Sequence, residues 1–373
     1  MCALYSSSVS LALDELVFQP RTPPLTFNMR KGECLALLGI GSYQHDILHL
    51  TETLIGRRAP LSGAIYVVGT DVTSYTSSLR GIASVGPQAP LFPHLSVFEN
   101  ILFPLQASGK FSITSMCRYG HEVMALTGLD ALRDTKVSQI SALDYFRAAL
   151  ARALVCNSAI LVLYRPFSGL FYPDNEQAIN ILDRLRHALG LNILLLTRRR
   201  NEAFMLADRI GIMENGTLIQ LNTAPVLLER PASRSVAITM SNANVLTGKV
   251  IEMGEDTVRL RLPTGETVEA MYTPALMEND LATICIPPDK ISLLFLKQPP
   301  SDPLEEGDIL CSLVSSHHLG HTIMIRLRLS DRTEVLVQRP PIHTRSELKP
   351  NRQVLLAWQA RNAIAFPMDQ NNT

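Results

Sequence analysis

The chain has 373 residues, 46% of them apolar and 18% charged, enough for two domains that each bury a core. Lysine plus arginine equals aspartate plus glutamate at 34 each, so no global field draws the chain to nucleic acid or to an anionic membrane. The six cysteines (Cys2, Cys34, Cys117, Cys156, Cys285, Cys311) are scattered without a C-x-x-C pair, which suits a reduced cytosolic protein and offers neither a disulfide framework nor a zinc site.

Met1–Ser10 lacks the basic region and long apolar core of a signal peptide. No apolar run approaches the roughly 20 residues that span a bilayer, so any membrane role is expected to come through a partner. From about Val9 to Arg230 short apolar strands alternate with amphipathic helices, the pattern of an α/β domain. Cys34–Leu38 reads as a strand entering a glycine turn at Gly39. Helices are predicted near Ile47–Leu54, Ser112–Thr127, Ala142–Val155 and Asn175–Ala188. Ala159–Leu163 and Asn192–Thr197 are almost uninterrupted apolar runs, as buried strands of a mostly parallel sheet require.

Ser233–Asn244 is small and polar, the composition of a linker. Beyond it strands and turns dominate, with an internal repeat. Val258–Leu262, the turn Pro263–Glu266 and Thr267–Tyr272 parallel Ile323–Leu329, the turn Ser330–Arg332 and Thr333–Gln338, and Ala282–Phe295 parallels Val354–Phe366. Two copies of a small β unit predict a barrel-like module closed across the pair.

An ordered series of stretches resembles the ATP-binding subunits of ABC importers of the polyamine, iron and molybdate type. These are GECLALLG at Gly32–Gly39, PLSG at Pro60–Gly63 with Gly69–Val72, LFPHLSVFEN at Leu91–Asn100, ALARAL at Ala149–Leu154, ADRIGIMENGTLIQ at Ala207–Gln220 and LERPAS at Leu228–Ser233. The terminal repeat resembles the TOBE pair of the same importers. The resemblance implies an ABC-type P-loop nucleotide-binding domain over 1–235, with a helical subdomain at about 88–157. It further implies a linker at 236–244 and an all-β, OB-like TOBE module over 245–373.

It also implies ATP and Mg²⁺ as cofactors, and here this sequence departs from the family. The P-loop pattern G-x-x-x-x-G-K-[ST] wraps phosphates in backbone N–H groups, with lysine on the β/γ oxygens and the hydroxyl on Mg²⁺. The segment after the strand reads Gly39-Ile40-Gly41-Ser42-Tyr43-Gln44-His45-Asp46, and counted from Gly39 the lysine position holds His45 and the hydroxyl position Asp46. Counted back from Ile55-Gly56, the lysine position holds Ile47. No lysine occurs between Lys31 and Lys110. The strand that ends in Asp-Glu in the family is followed here by Tyr164-Arg165-Pro166, which removes both a Mg²⁺ ligand and a general base. The signature loop is reduced to Ile140-Ser141-Ala142-Leu143-Asp144, where Ser141 reads as a helix N-cap. Arg198 stands at the γ-phosphate histidine position, Gln88 is the candidate glutamine-loop residue, and Phe18 is the candidate adenine-stacking aromatic, with a core role as its alternative.

The expected function is therefore a degenerate cassette subunit of a bacterial importer that has lost, or nearly lost, ATP hydrolysis. Its expected place is peripheral, on the cytoplasmic face of the inner membrane. It would dock a membrane permease and pair as a homodimer or as a heterodimer with an intact ATPase subunit; nucleic acid is not expected. One alternative is an active transport ATPase using unusual residues, such as His45 in the lysine role. The other is a regulatory oxyanion-binding module built on the β repeat. Arg165 and Arg198 leave the old site cationic, which fits either a metal-free anion site or pairing with nearby acids. His317-His318-x-x-His321 fits a surface cluster better than a metal site, having no carboxylate or cysteine beside it. Leu91–Asn100 admits a permease-facing surface or plain packing of the helical subdomain.

Overall fold

In a computed structural model, residues 8–41, 46–296, 307–341 and 348–368 are described. The chain divides into two compact units, Met1–Ala224 and Pro225–Thr373.

The first unit opens with β1 (Val9–Val17), β2 (Leu25–Arg30) and β3 (Cys34–Ile40), then α1 (Asp46–Leu54), β4 (Ser62–Val67), β5 (Thr70–Asp71) and β6 (Ile82–Val85). Three helices follow, α2 (Val97–Ser108), α3 (Ile113–Thr127) and α4 (Ala142–Leu154). The unit closes with β7 (Ile160–Tyr164), α5 (Asp174–Leu189), β8 (Ile193–Thr197), α6 (Arg200–Leu206), β9 (Arg209–Glu214) and β10 (Thr217–Asn222). An antiparallel sheet runs β2-β1-β4-β5. A six-stranded sheet runs β10-β9-β3-β8-β7-β6, parallel except for β10. Register is set by apolar pairs such as Leu35↔Leu194, Leu37↔Leu196 and Val162↔Leu194. The apolar runs in β7 and β8 are buried along their whole length, because helices cover both faces of such a sheet.

Serine caps set helix starts. Ser96, Ser112 and Ser141 each accept the backbone N–H three residues on, at the heads of α2, α3 and α4. Arg80, 4% exposed, holds the far end of α1 by donating to the carbonyls of Thr53 and Leu54 and to those of Thr73 and Tyr75. It satisfies carbonyls that a helix end otherwise leaves open.

The second unit carries α7 (Ala224–Glu229) at its boundary and α8 (Arg234–Ser241), then β11 (Asn244–Met253), β12 (Thr257–Arg261), β13 (Thr267–Tyr272), β14 (Leu281–Ile286) and β15 (Ser292–Phe295). β16 (Ile309–His318), β17 (Ile323–Arg328), β18 (Glu334–Arg339), β19 (Gln353–Ala357) and β20 (Ile364–Pro367) complete it. Strands β11-β12-β13-β20-β14 close a barrel, and β15-β19-β16-β17-β18 form a second sheet. The two copies of the repeat exchange their last strands. β20 of the second closes the barrel of the first, and β15 of the first edges the sheet of the second. The equivalent hairpins pair Leu260↔Val268 and Leu327↔Val335, all buried in one shared core.

One expectation is corrected. The stretch assigned to a linker at 236–244 is mostly helix, since α8 runs from the Ser233 cap to Ser241. Val236, Ala237 and Met240 fall on one face and are buried, so the small residues reflect packing rather than an open connection.

Candidate functional site

In a parallel sheet the side chains available for ligand chemistry gather at the carboxyl ends of the strands. Three strands of the first unit converge there: β3 ending at Ile40, β7 at Tyr164 and β8 at Thr197.

At the first tip, Gly39 lies so close to α1 that a Cβ would meet Ile47 Cγ2 at 3.1 Å, and Gly41 has φ +84°, which glycine alone adopts freely. Ser42 and His45 lie outside the described residues. Asp46 opens α1 and is buried, and its carboxylate accepts from Gln19 Nε2 at 2.8 Å. Gln19 Oε1 stands 2.9 Å from His49 Nδ1, so that ring nitrogen carries the proton. An acid in the first turn suits the helix dipole. The positive pole that a phosphate would use thus faces a carboxylate supplied by the chain itself.

At the second tip, Tyr164 is 6% exposed. Arg165 is exposed, adopts φ +44° and donates its backbone N–H to the Leu196 carbonyl at 2.8 Å. The neighbouring turn approaches closely, since a Cβ on Gly86 would lie 2.0 Å from the Tyr164 carbonyl oxygen. Gln88, two residues on, has a buried side-chain oxygen without a hydrogen-bond partner among the described residues, and its backbone carbonyl accepts from Arg57.

At the third tip, Arg198 Nη2 donates to the Gly41 carbonyl at 2.8 Å and so ties the β8 end to the β3 turn. Glu202 is 3% exposed. Its carboxylate accepts from Thr197 Oγ1 and lies 3.5 Å from Arg199 Nη1. Burial pushes the Glu202 carboxyl above its ordinary range, against the Thr197 hydrogen bond and the charges of Arg199 and Arg165. Tyr164, Arg165, Ser168, Thr197, Arg198, Arg199 and Glu202 together line a cavity of about 240 Å³.

The candidates thus fall into separate places. Tyr164, Arg165 and Arg198 share this cavity, and Gly41 is tied to it by the Arg198–Gly41 bond, whereas Asp46 is bonded to Gln19. Ser141 lies elsewhere, in a groove with Ile140, Phe146, Ser168 and Leu170. Its Oγ accepts from Asp144 N at 3.1 Å and lies 2.7 Å from Asp144 Oδ2, the geometry of a helix cap. Phe18 is fully buried in the core formed with Leu16, Leu25 and Leu35. As an adenine-stacking residue it is ruled out, because no face is open to a ligand. Two residues escaped the sequence reading. Glu202 leaves a faint signal in its i,i+3 spacing from Arg199; Gln19 leaves none, since its bond to Asp46 bridges 27 positions.

Mg²⁺ demands several oxygen ligands in near-octahedral array. Asp46 is committed to Gln19 and Glu202 to Thr197 and Arg199, Tyr164 is buried, and Arg165 is cationic. Among the described residues the Gln88 side-chain oxygen has no partner, and one amide oxygen does not hold the ion. No cluster of three or more His, Cys, Asp or Glu side chains suited to a metal occurs among the described residues, His317, His318 and His321 included.

Comparison with known proteins gives the family. The family model for the ABC transporter matches residues 23–168, and that for the TOBE domain matches residues 284–366. The chain is 30% identical over 270 residues to the spermidine/putrescine import ATP-binding protein PotA of Mesorhizobium japonicum, covering 72% of this chain and 73% of that one. It is 28% identical over 347 residues to PotA of Rubrobacter xylanophilus, covering 91% and 88%. It is 34% identical over 224 residues to the molybdate/tungstate import ATP-binding protein WtpC of Thermococcus kodakarensis, covering 60% and 67%. On its two domains and these relatives, the chain belongs to the ABC transporter family, among the importer ATP-binding subunits that carry a C-terminal TOBE domain.

Proposed function

We propose that this subunit keeps the shape of an importer cassette and has lost magnesium-dependent ATP hydrolysis. The observation that carries the reading is the commitment of two acids near the strand tips to the fold, Asp46 to Gln19 and Glu202 to Thr197 and Arg199. Hydrolysis of a phosphoanhydride requires a metal to neutralise the developing charge and a group that orients the attacking water. With Tyr164 and Arg165 at the end of β7 there is a carboxylate for neither task.

The subunit would act by occupying a cassette position beneath a membrane permease, paired with a second copy or with an intact ATP-binding subunit. The relatives' names as import ATP-binding proteins support the permease. No described helix is long and apolar enough to cross a membrane, in keeping with peripheral attachment on the cytoplasmic face. Leu91–Asn100 supplies a firm surface for docking. Asn100 bonds both the N–H and the carbonyl of Phe92, at 2.8 and 3.0 Å, and Phe92 packs on the half-exposed Phe103 with ring centroids 4.6 Å apart.

The test is phosphate release from Mg²⁺–ATP by the purified full chain beside its His45→Ala variant. Both are expected to stay at background. Turnover by the wild type that disappears in the variant would overturn the reading and leave an active ATPase using His45.

A further inference from the structure

The cavity at the tips of β7 and β8 carries a charge that the fold does not use up. Arg165, Arg198 and Arg199 line it against a single carboxylate, Glu202. That carboxylate is buried and already satisfied, by Thr197 on one oxygen and Arg199 on the other. Arg198 spends one N–H on the Gly41 carbonyl and keeps the rest of its donor fork. The Arg165 guanidinium makes no hydrogen bond or salt bridge to any described residue, acting on Glu202 only through space.

Arg165 also holds a left-handed backbone, φ +44°, which costs a non-glycine residue on the order of 1 kcal/mol or more. The cost directs an exposed cation to the carboxyl rim of a parallel sheet, where such folds bind ligands. The size of the cavity limits what fits. At about 240 Å³ it falls below the range of about 300–1,000 Å³ common for organic ligands. Phe18, the aromatic that sequence offered to a base, is buried in the core.

We propose that Arg165, Arg198 and Arg199 form a magnesium-independent site for a tetrahedral oxyanion of the phosphate class, recognised without a nucleoside. Guanidinium forks match such an ion bidentately and need no metal to neutralise it. This inference rests on the reading of the cleft as unable to hold Mg²⁺–ATP, and it assigns a different occupant to the same rim.

Isothermal titration of the full chain with inorganic phosphate, in EDTA and low chloride, tests it. The wild type is expected to give a saturable isotherm that weakens as chloride rises. Arg165→Gly removes the guanidinium while placing at +44° the residue most at ease there. The variant is therefore expected to keep its melting temperature and to lose affinity about tenfold or more. ATP in EDTA is expected to bind no more tightly than inorganic triphosphate. Absence of saturable heat at millimolar phosphate, unchanged affinity in Arg165→Gly, or a tenfold preference for ATP over triphosphate would each overturn the proposal. Hydrolysis of Mg²⁺–ATP in the separate assay would instead sink the earlier reading. A silent titration with no hydrolysis removes only the oxyanion site.

Discussion

The interiors of β3, β7 and β8 and the tips of the same strands lie within a few residues of each other, yet they answer to different physics. Inside, Leu35, Leu37, Val162, Leu194 and Leu196 are fully buried, and each such aliphatic side chain stabilises the fold by about 1.5–3 kcal/mol. A change there opens a cavity. At the tips, Tyr164-Arg165 and Thr197-Arg198 stand where the family resemblance implies catalytic groups, and the strands run to them without interruption. The sheet depends on its interior alone. Chemistry on a strand tip can therefore be replaced while the architecture persists, the new side chains either finding partners, as Arg198 finds the Gly41 carbonyl and Asp46 finds Gln19, or standing exposed to water, as Arg165 does.

The sharpest way to break this contrast is to treat a proposed ligand contact as what its burial says it is. Phe18→Ala is expected to cost about 4 kcal/mol in urea unfolding, the usual toll for deleting a buried aromatic. A variant as stable as wild type, with altered nucleotide binding, would return Phe18 to the ligand side. Next comes the one part of the rim with no latitude. Gly86 at φ +137° faces the Tyr164 carbonyl so closely that Gly86→Ala must move backbone, and a loss of about 3 kcal/mol is expected. If Gly86→Ala proved neutral, the β6 and β7 ends would not be held against each other. Ser141→Ala is smaller, about 1 kcal/mol, as for an N-cap. Ser141→Asp should recover most of that loss if the hydroxyl serves only to cap α4.

What could be read without coordinates followed from local rules. Strands buried on both faces give unbroken apolar runs, so β7 and β8 stood out, and serines set the starts of α3 and α4. The duplicated β unit was visible because each hairpin alternates buried and exposed residues about its own turn. Closure across the pair was expected from the repeat and is found, with β20 of the second copy in the barrel of the first; which strand crosses was not legible, since nothing in β15 or β20 specifies which copy it joins. Helix α8 was hidden for a related reason. Its buried face has only three residues, Val236, Ala237 and Met240, too few for periodicity to outweigh a small, polar composition. The site was legible as a set of missing groups, position by position. The bonds that replace them, Gln19 to Asp46 and Arg198 to Gly41, join residues 27 and 157 positions apart, and no short-range pattern encodes them.

The smallest expected effect probes the rim's own electrostatics and has the opposite sign. Burial raises the Glu202 carboxyl above its ordinary value of 4.5, so the unfolded chain ionises this group at a lower pH than the folded chain does. Its contribution to stability is then present below 4.5 and is lost as pH rises through the raised value. Glu202→Gln removes the titration while keeping an oxygen that can accept from Thr197 Oγ1. It forfeits only the ion pair with Arg199, whose side chain is 58% exposed and whose pairing is therefore worth little. The variant should be more stable than wild type at pH 7.5, by less than about 1 kcal/mol, and the gap should close as pH falls through 4.5. A Glu202→Gln variant less stable than wild type at pH 7.5, with the deficit shrinking as pH falls, would mean that the ionised carboxylate is a net asset to the rim. The three arginines would then be held by Glu202 and not left available to an outside anion.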